Sequence, residues 1–333
     1  MGKLSTKDLK KLLDCIKKDG RVVIPPTPGF DSGVHLLDDN YVVVSTDPCL
    51  GVPEKWFGYL LIHYAASDVA LFGAKPEFCT INLLGPPSSK PQTFQNIMKL
   101  ACSAADELRL AIVTGHTGTY ESVKAPVGIC TAYGTVEKNM LVTPAGAKAG
   151  DCIFCIKPAA LETIVNFALT SKDLASKLFG RKRTEELADL VQMQSCVNEA
   201  LLLAGTGGVH AMHDATEGGL VAALNEMAEV AGVGFEIKFE NIPFSKEALK
   251  LQQHFKLSDT QLLSMSSTGT FLASVREEAK TKIEKILRQR NIAFSVLGQF
   301  TADTKRLMLK RGVKTLFPRV ARDPYGRILS GKV

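Results

Sequence analysis

Asp68 is the only formally charged residue in the otherwise apolar and uncharged-polar stretch 59–74. Leu61, Asp68 and Leu71 lie seven and three residues apart, which places them on one face of a predicted helix and turns Asp68 toward the interior. A buried carboxylate must be protonated, hydrogen bonded, paired with a base or bound to a cation. A structural aspartate held by backbone donors is the alternative to a ligand-binding role.

Two further aspartates precede it in settings that could present them to the same point. Asp31 follows a loop rich in proline and glycine, and Asp47 ends a predicted buried strand over residues 41–47. A cluster of such carboxylates would need a cation, and oxygen-only ligands favour Mg²⁺ over zinc. Magnesium in such sites commonly bridges to substrate phosphates. Three unrelated structural aspartates remain the alternative interpretation.

Two glycine-containing segments could approach a phosphate. A predicted strand over residues 111–114 runs into a turn at Gly115, His116 and Thr117, where glycine would allow close approach of backbone N–H groups. The spacing of a P-loop or of a dinucleotide-binding turn is absent from the sequence.

The second segment, residues 207–219, leads directly into a predicted helix that starts at Leu220. A glycine-rich entry to a helix N-terminus offers free N–H groups and a positive dipole end, so it predicts an anion site. The alternative is a turn in which Asp214 or Thr216 only caps the helix. His210 and His213 are interpreted as loop histidines near a site.

Composition limits the classes of function. The chain has 333 residues with 45% hydrophobic and 22% charged residues, which is typical of a globular protein of two domains. The net charge of +6 is spread thinly, and basic runs lack interleaved aromatic residues, so nucleic acid is not an expected partner. We expect no secretory signal, no membrane span and a cytoplasmic location with reduced cysteines.

The order of predicted elements indicates a mixed α/β (α+β) protein. Strands and helices alternate up to a turn-rich region, and a new pattern that includes a helix over 184–203 follows it. We therefore predict domains at residues 1–146 and 147–333.

Five motifs together resemble a known group of enzymes. They are F-D-S at Asp31, S-T-D at Asp47, S-D-V-A-L-F-G-A-K-P over residues 67–76, T-G-H-T over 114–117 and H-D-A-T-E-G-G-L over 213–220. In this order they resemble the aminoimidazole ribonucleotide (AIR) synthetase superfamily, and most of all its hydrogenase-maturation carbamoyl dehydratase branch.

The resemblance implies an N-terminal α/β domain whose sheet forms a barrel across a homodimer, and a C-terminal α+β domain. It implies ATP and Mg²⁺ as cofactors, with Asp31, Asp47 and Asp68 as the metal ligands. The implied site residues that complete the set are Gly115, His116 and Thr117 for ATP, and Asp214, Thr216, Glu217, Gly218 and Gly219 for substrate or phosphate.

The expected activity is ATP-dependent phosphorylation of a substrate oxygen of the amide or carbonyl type. Two departures from the pattern bear on it: His116 stands where relatives have a carboxylate, and the C-terminal cysteine of the dehydratase branch is absent. The alternatives are a small-molecule kinase of the thiamine-monophosphate kinase type and an ATP-binding regulator that has lost catalysis.

Overall fold

The computed structural model describes residue 4 and residues 6–332. The protein has a mixed α/β architecture of two domains, each built on one sheet, as the sequence predicted. The first sheet has the strand order β1-β2-β3-β6-β4-β5. Its strands are β1 (Val22–Ile24), β2 (Gly33–Leu37), β3 (Asn40–Leu50), β4 (Phe78–Gly85), β5 (Ala111–Thr119) and β6 (Val127–Glu137).

The second sheet has the order β13-β12-β9-β11-β7-β10-β8. Its strands are β7 (Cys152–Ile156), β8 (Val209–Asp214), β9 (Gly234–Lys238), β10 (Phe271–Val275), β11 (Phe294–Thr301), β12 (Arg306–Lys310) and β13 (Val313–Leu316). Neighbours in this sheet are antiparallel except β9 and β12, which run parallel.

The α-helices of the described residues surround these sheets. They are α1 (Thr6–Leu13), α2 (Glu54–Leu71), α3 (Pro91–Leu108), α4 (Leu161–Thr170), α5 (Lys172–Phe179), α6 (Arg181–Ala188), α7 (Val197–Thr206), α8 (Gly219–Ala231), α9 (Lys246–His254), α10 (Asp259–Leu263), α11 (Lys280–Gln289) and α12 (Tyr325–Leu329). Within the part of the chain that the structure describes, no helix combines the length and apolarity needed to cross a membrane.

Helix α2 is the central element of the molecule. It packs against β3 and β6 of the first sheet, against α3, and against α7 from the second half of the chain. Most of its side chains are therefore buried on every face, not on one stripe. One apolar cluster joins α2 residues such as Leu60 and Val69 to Phe154 of β7 and Leu203 of α7, so the two domains share a core.

The prediction of one continuous helix over residues 184–203 is wrong, because two helices and a 3₁₀ segment occupy this range. Helix α6 ends at Ala188, a 3₁₀ segment covers Asp189–Gln194, and α7 begins at Val197. The buried ammonium of Lys157 donates to the carbonyl oxygens of Met193 at 3.3 Å and of Ser195. These carbonyl oxygens accept hydrogen bonds from a distant side chain, and not from the backbone N–H groups of a continuous helix.

Candidate active site

Asp68 is buried on α2, with 5% of the residue exposed. Its Oδ2 accepts a hydrogen bond of 2.7 Å from the hydroxyl of Ser45 on β3, and Ser45 Oγ also lies 3.1 Å from the carbonyl oxygen of Asp31. Burial raises the pKa of Asp68 well above its usual value, and the carboxylates of Asp47, Asp214 and Asp31 raise it further. These aspartates therefore form one electrostatically coupled group with excess negative charge.

Asp214 belongs to this group, whereas the sequence assigned it to a separate substrate or phosphate site. It ends β8 and is 6% exposed. Ligand atoms of Asp31, His213 and Asp214 all lie within 4.8 Å of one another, so a single cation could contact all three residues. The second domain thus contributes directly to the predicted metal site of the first.

His213 is part of this cluster and not a loop histidine, because it lies on β8 and is 3% exposed. Its Nδ1 is 2.9 Å from the carbonyl oxygen of Asp214 and 3.5 Å from Asp31 Oδ2, and its Nε2 is 3.0 Å from Glu226 Oε2. Burial alone would lower the pKa of His213, but these acidic neighbours raise it well above the usual value. His213 therefore pairs with the Asp31 carboxylate when it is protonated and offers a ring nitrogen to a cation when it is neutral.

Spacing along the chain offers no direct signal for this position, because His213 reaches Asp31 only through the packing of the two domains. His210, which lies on the same strand, bonds a different carboxylate. Its Nδ1 is 2.8 Å from Asp151 Oδ2.

Asp47 lies inside β3 and not at its end, because the strand continues to Leu50. Side chains alternate along a strand, so Asp47 faces the same side of the sheet as Ser45, the side on which α2 packs. The continuation of the strand is a tertiary effect: Leu50 pairs with Val127 of β6, which extends the ladder past the carboxylate.

The segment with Gly115, His116 and Thr117 is a strand and not a turn, since all three residues lie within β5 at the edge of the first sheet. A side chain at position 115 would place its Cβ 2.2 Å from the carbonyl oxygen of Ile81. Gly115 is therefore required by the close approach of β4.

His116 does not join the carboxylate group within one chain. In register, Asp47 pairs with Cys130, Cys130 with Ile81, and Ile81 with Gly115. Three strand spacings of about 4.8 Å place position 115 about 14 Å from Asp47, and the next residue faces the opposite side of the sheet. The imidazole Nε2 of His116 is instead 2.6 Å from the hydroxyl of Tyr120.

The glycine-rich entry to α8 also differs from the prediction. The N–H of Gly218 donates to Asp323 Oδ2 at 3.1 Å, and the N–H of Gly219 donates to the carbonyl oxygen of Thr216 at 2.9 Å. Glu217 is exposed beside them. In this structure a carboxylate from the C-terminal segment therefore accepts from the Gly218 donor that the sequence assigned to an anion, and the anion site stays a prediction.

The donor set fits a hard divalent cation. Asp31 and Asp214 offer carboxylate oxygens, which Mg²⁺ prefers, and the pKa of the neighbouring Asp68 is raised by burial and then by the charges of Asp47, Asp214 and Asp31. His213 adds a nitrogen that suits softer divalent metals when it is neutral.

Comparisons with known proteins agree with this architecture. The sequence-family model for the N-terminal domain of AIR synthase related protein matches residues 29–136. The family model for the C-terminal domain matches residues 148–310.

The chain is similar to curated hydrogenase-maturation proteins. It is 26% identical over 309 residues to a putative hydrogenase expression/formation protein of Methanocaldococcus jannaschii, covering 90% of this chain and 88% of the relative. It is 27% identical over 272 residues to the carbamoyl dehydratase HypE of Bradyrhizobium diazoefficiens, covering 80% of this chain and 74% of the relative.

The fold matches that of a crystal structure of the hydrogenase maturation protein HypE in complex with ATP. The TM-score is 0.68 at 17% identity, covering 95% of this chain and 91% of the other. With both domain models matched in order, the chain belongs to the AIR synthase related protein family.

Proposed function

We propose that the protein binds Mg-ATP at the coupled carboxylates and phosphorylates an oxygen of a small amide or carbonyl compound. The observation that carries this proposal is the geometry of the site, in which ligand atoms of Asp31, His213 and Asp214 all lie within 4.8 Å of one another. The raised pKa of the buried Asp68, caused by burial and then by Asp47, Asp214 and Asp31, supports it. Such a cluster is stabilised by a divalent cation, which in turn attracts phosphate oxygens. The family membership supports the proposal, as does the ATP complex of the structurally similar HypE.

In this proposal Asp31, Asp68 and Asp214 hold the cation, and Asp47 completes the negative field. Bound magnesium would lower the charge that opposes attack on the γ-phosphorus. Ser45 keeps the Asp68 carboxylate oriented through the hydrogen bond of 2.7 Å.

The surroundings of α8 bear on the class of acceptor. The Gly218 N–H donates to the Asp323 carboxylate, and the exposed Glu217 lies beside it. An acidic loop of this kind repels an anionic acceptor, so a neutral amide or carbonyl oxygen fits better than a phosphorylated acceptor of the thiamine-monophosphate kinase type.

We propose that the domain boundary lies between residues 146 and 147. We further propose a homodimer in which the first sheet of one protomer meets the first sheet of its partner. Edge strand β5 is exposed along almost its whole length, including Val113 at 56%. An exposed edge strand is a ready site for strand pairing or for burial against another chain. Light scattering of the purified protein, compared with a Val113→Lys variant, tests this arrangement.

Titration calorimetry with ATP tests the proposed function directly. We expect binding in the presence of Mg²⁺ and much weaker binding with a chelator. Absence of Mg-dependent binding by the folded protein would refute the proposal. Product analysis with amide and carbamoyl compounds then separates a stable phosphorylated product, as a kinase gives, from free phosphate with a dehydrated product.

The second candidate is an ATP-binding regulator without catalysis. The position of His116, away from the carboxylates and bonded to Tyr120, favours it. The variant His116→Asp distinguishes the two. Because position 116 lies away from the carboxylates of its own chain, a gain in ATP turnover would require it to reach the site of the partner protomer in the proposed homodimer, and would favour a site that has lost a carboxylate. A loss shows that His116 serves the reaction.

A further inference from the structure

Ser32 follows Asp31 in the chain and carries a buried hydroxyl that the proposed ligand set leaves out. The residue is 3% exposed, and its Oγ has no hydrogen-bond partner within the described part of the chain. Buried hydroxyls are normally bonded, and Ser45 and Ser274 follow that rule. An unpaired hydroxyl in this position destabilises the protein unless a ligand uses it.

The strand register places Ser32 on the side of the carboxylates. Strand β2 pairs Gly33 with Val44 and Val34 with Val43. Ser32 immediately precedes β2, and continuing this register by one step would bring it opposite Ser45, on the same face of the sheet. That face carries the Ser45 hydroxyl that donates to Asp68.

The chemistry of the cluster indicates what the hydroxyl would bind. A hard divalent cation takes about six oxygen ligands. If all of them were carboxylates, they would add negative charge to a site in which Asp47, Asp214 and Asp31 already surround Asp68. A serine hydroxyl offers lone pairs without charge. Building on the proposed function, we propose that Ser32 Oγ is a neutral oxygen ligand of the divalent cation held by Asp31 and its neighbouring carboxylates.

The variant Ser32→Ala tests this assignment, with Ser274→Ala as the matched control. Ser274 is 0% exposed and its Oγ donates to Asp151 Oδ2 at 2.6 Å, so its loss removes a bond that is present. Without divalent cations, we expect Ser32→Ala to melt no lower than the wild type and Ser274→Ala to melt lower. With ATP, we expect Ser32→Ala to need roughly tenfold more Mg²⁺ for half-maximal binding, in line with the loss of one ligand interaction. The control should need the same Mg²⁺ concentration as the wild type.

The outcomes separate this inference from the proposed function. If wild-type protein binds no ATP with Mg²⁺, the proposed function fails. If it binds and Ser32→Ala has the same Mg²⁺ dependence, the assignment of Ser32 is overturned while the function stands.

A second variant, Ser32→Cys, tests metal contact against phosphate contact. A thiolate prefers softer cations, so metal contact predicts that Mn²⁺ or Cd²⁺ restores ATP binding better than Mg²⁺ does. An unchanged preference for Mg²⁺ overturns the assignment in favour of a phosphate contact.

Discussion

Acidification provides a quantitative test of the contact between α2 and the 3₁₀ segment. His63 is 1% exposed, stacks on Tyr59 at 4.0 Å between ring centroids, and has its Nδ1 2.7 Å from Ser195 Oγ. Its Nε2 has no hydrogen-bond partner among the described residues. Burial, and then the charge of Lys157, lower the pKa of His63 from 6.5 to about 4.

The sign follows from proton linkage. Between pH 6.5 and about 4, the unfolded chain binds a proton at His63 that the folded protein does not. Stability is therefore lost as the pH falls, and it is fully retained above the unfolded value. The loss attributable to His63 is about 2 kcal/mol at pH 5 and about 3 kcal/mol at pH 4 and below.

The assay is urea unfolding at pH 7.5 and pH 5 of the wild type and of His63→Phe. Phenylalanine keeps the stacked ring and removes the titrating group, so the variant should lose about 2 kcal/mol less than the wild type over this range. Subtracting the two proteins cancels the titration of carboxylates common to both. His35→Phe is the control and should follow the wild type, since His35 is a half-buried residue on β2, outside the contact between α2 and the 3₁₀ segment. Equal losses of wild type and His63→Phe would refute the reasoning.

Three further substitutions probe the site and its scaffold. Asp68→Asn keeps an acceptor for Ser45 but removes one charge, so it should weaken Mg-ATP binding by calorimetry at least about tenfold, or ~1.4 kcal/mol, without lowering the metal-free melting temperature. Unchanged Mg-ATP binding would contradict a ligand-binding role for Asp68 and indicate a structural one. Gly115→Ala should destabilise by about 2 kcal/mol or more in urea unfolding, because its Cβ would lie 2.2 Å from the Ile81 carbonyl oxygen; a normal midpoint would contradict the register of β5. Asp323→Ala leaves the Gly218 N–H without its carboxylate and should cost about 1–2 kcal/mol by thermal melting, with no loss indicating that the contact is dispensable.

Local pattern was sufficient for much of the fold and part of the site. The predicted strand over residues 41–47 lies within β3, and the helix predicted to start at Leu220 is α8, which begins at Gly219. Burial of Asp68 on a helix also followed from spacing, because the identity of each neighbour at three and four residues is a property of the sequence. The motifs were sufficient to identify the family.

Tertiary structure decided how the predicted residues combine. Asp214 and His213 reach Asp31 through the packing of two domains, and Asp323 reaches Gly218 across 105 residues of sequence. Position 116 is separated from Asp47 by strand order, which no local pattern encodes. Spacing along the chain determines which side chains share one element, whereas long-range pairing and burial determine which elements meet. The sequence by itself therefore indicated Asp31, Asp47 and Asp68 as candidate ligands, whereas only the folded protein brings Asp214 and His213 to Asp31.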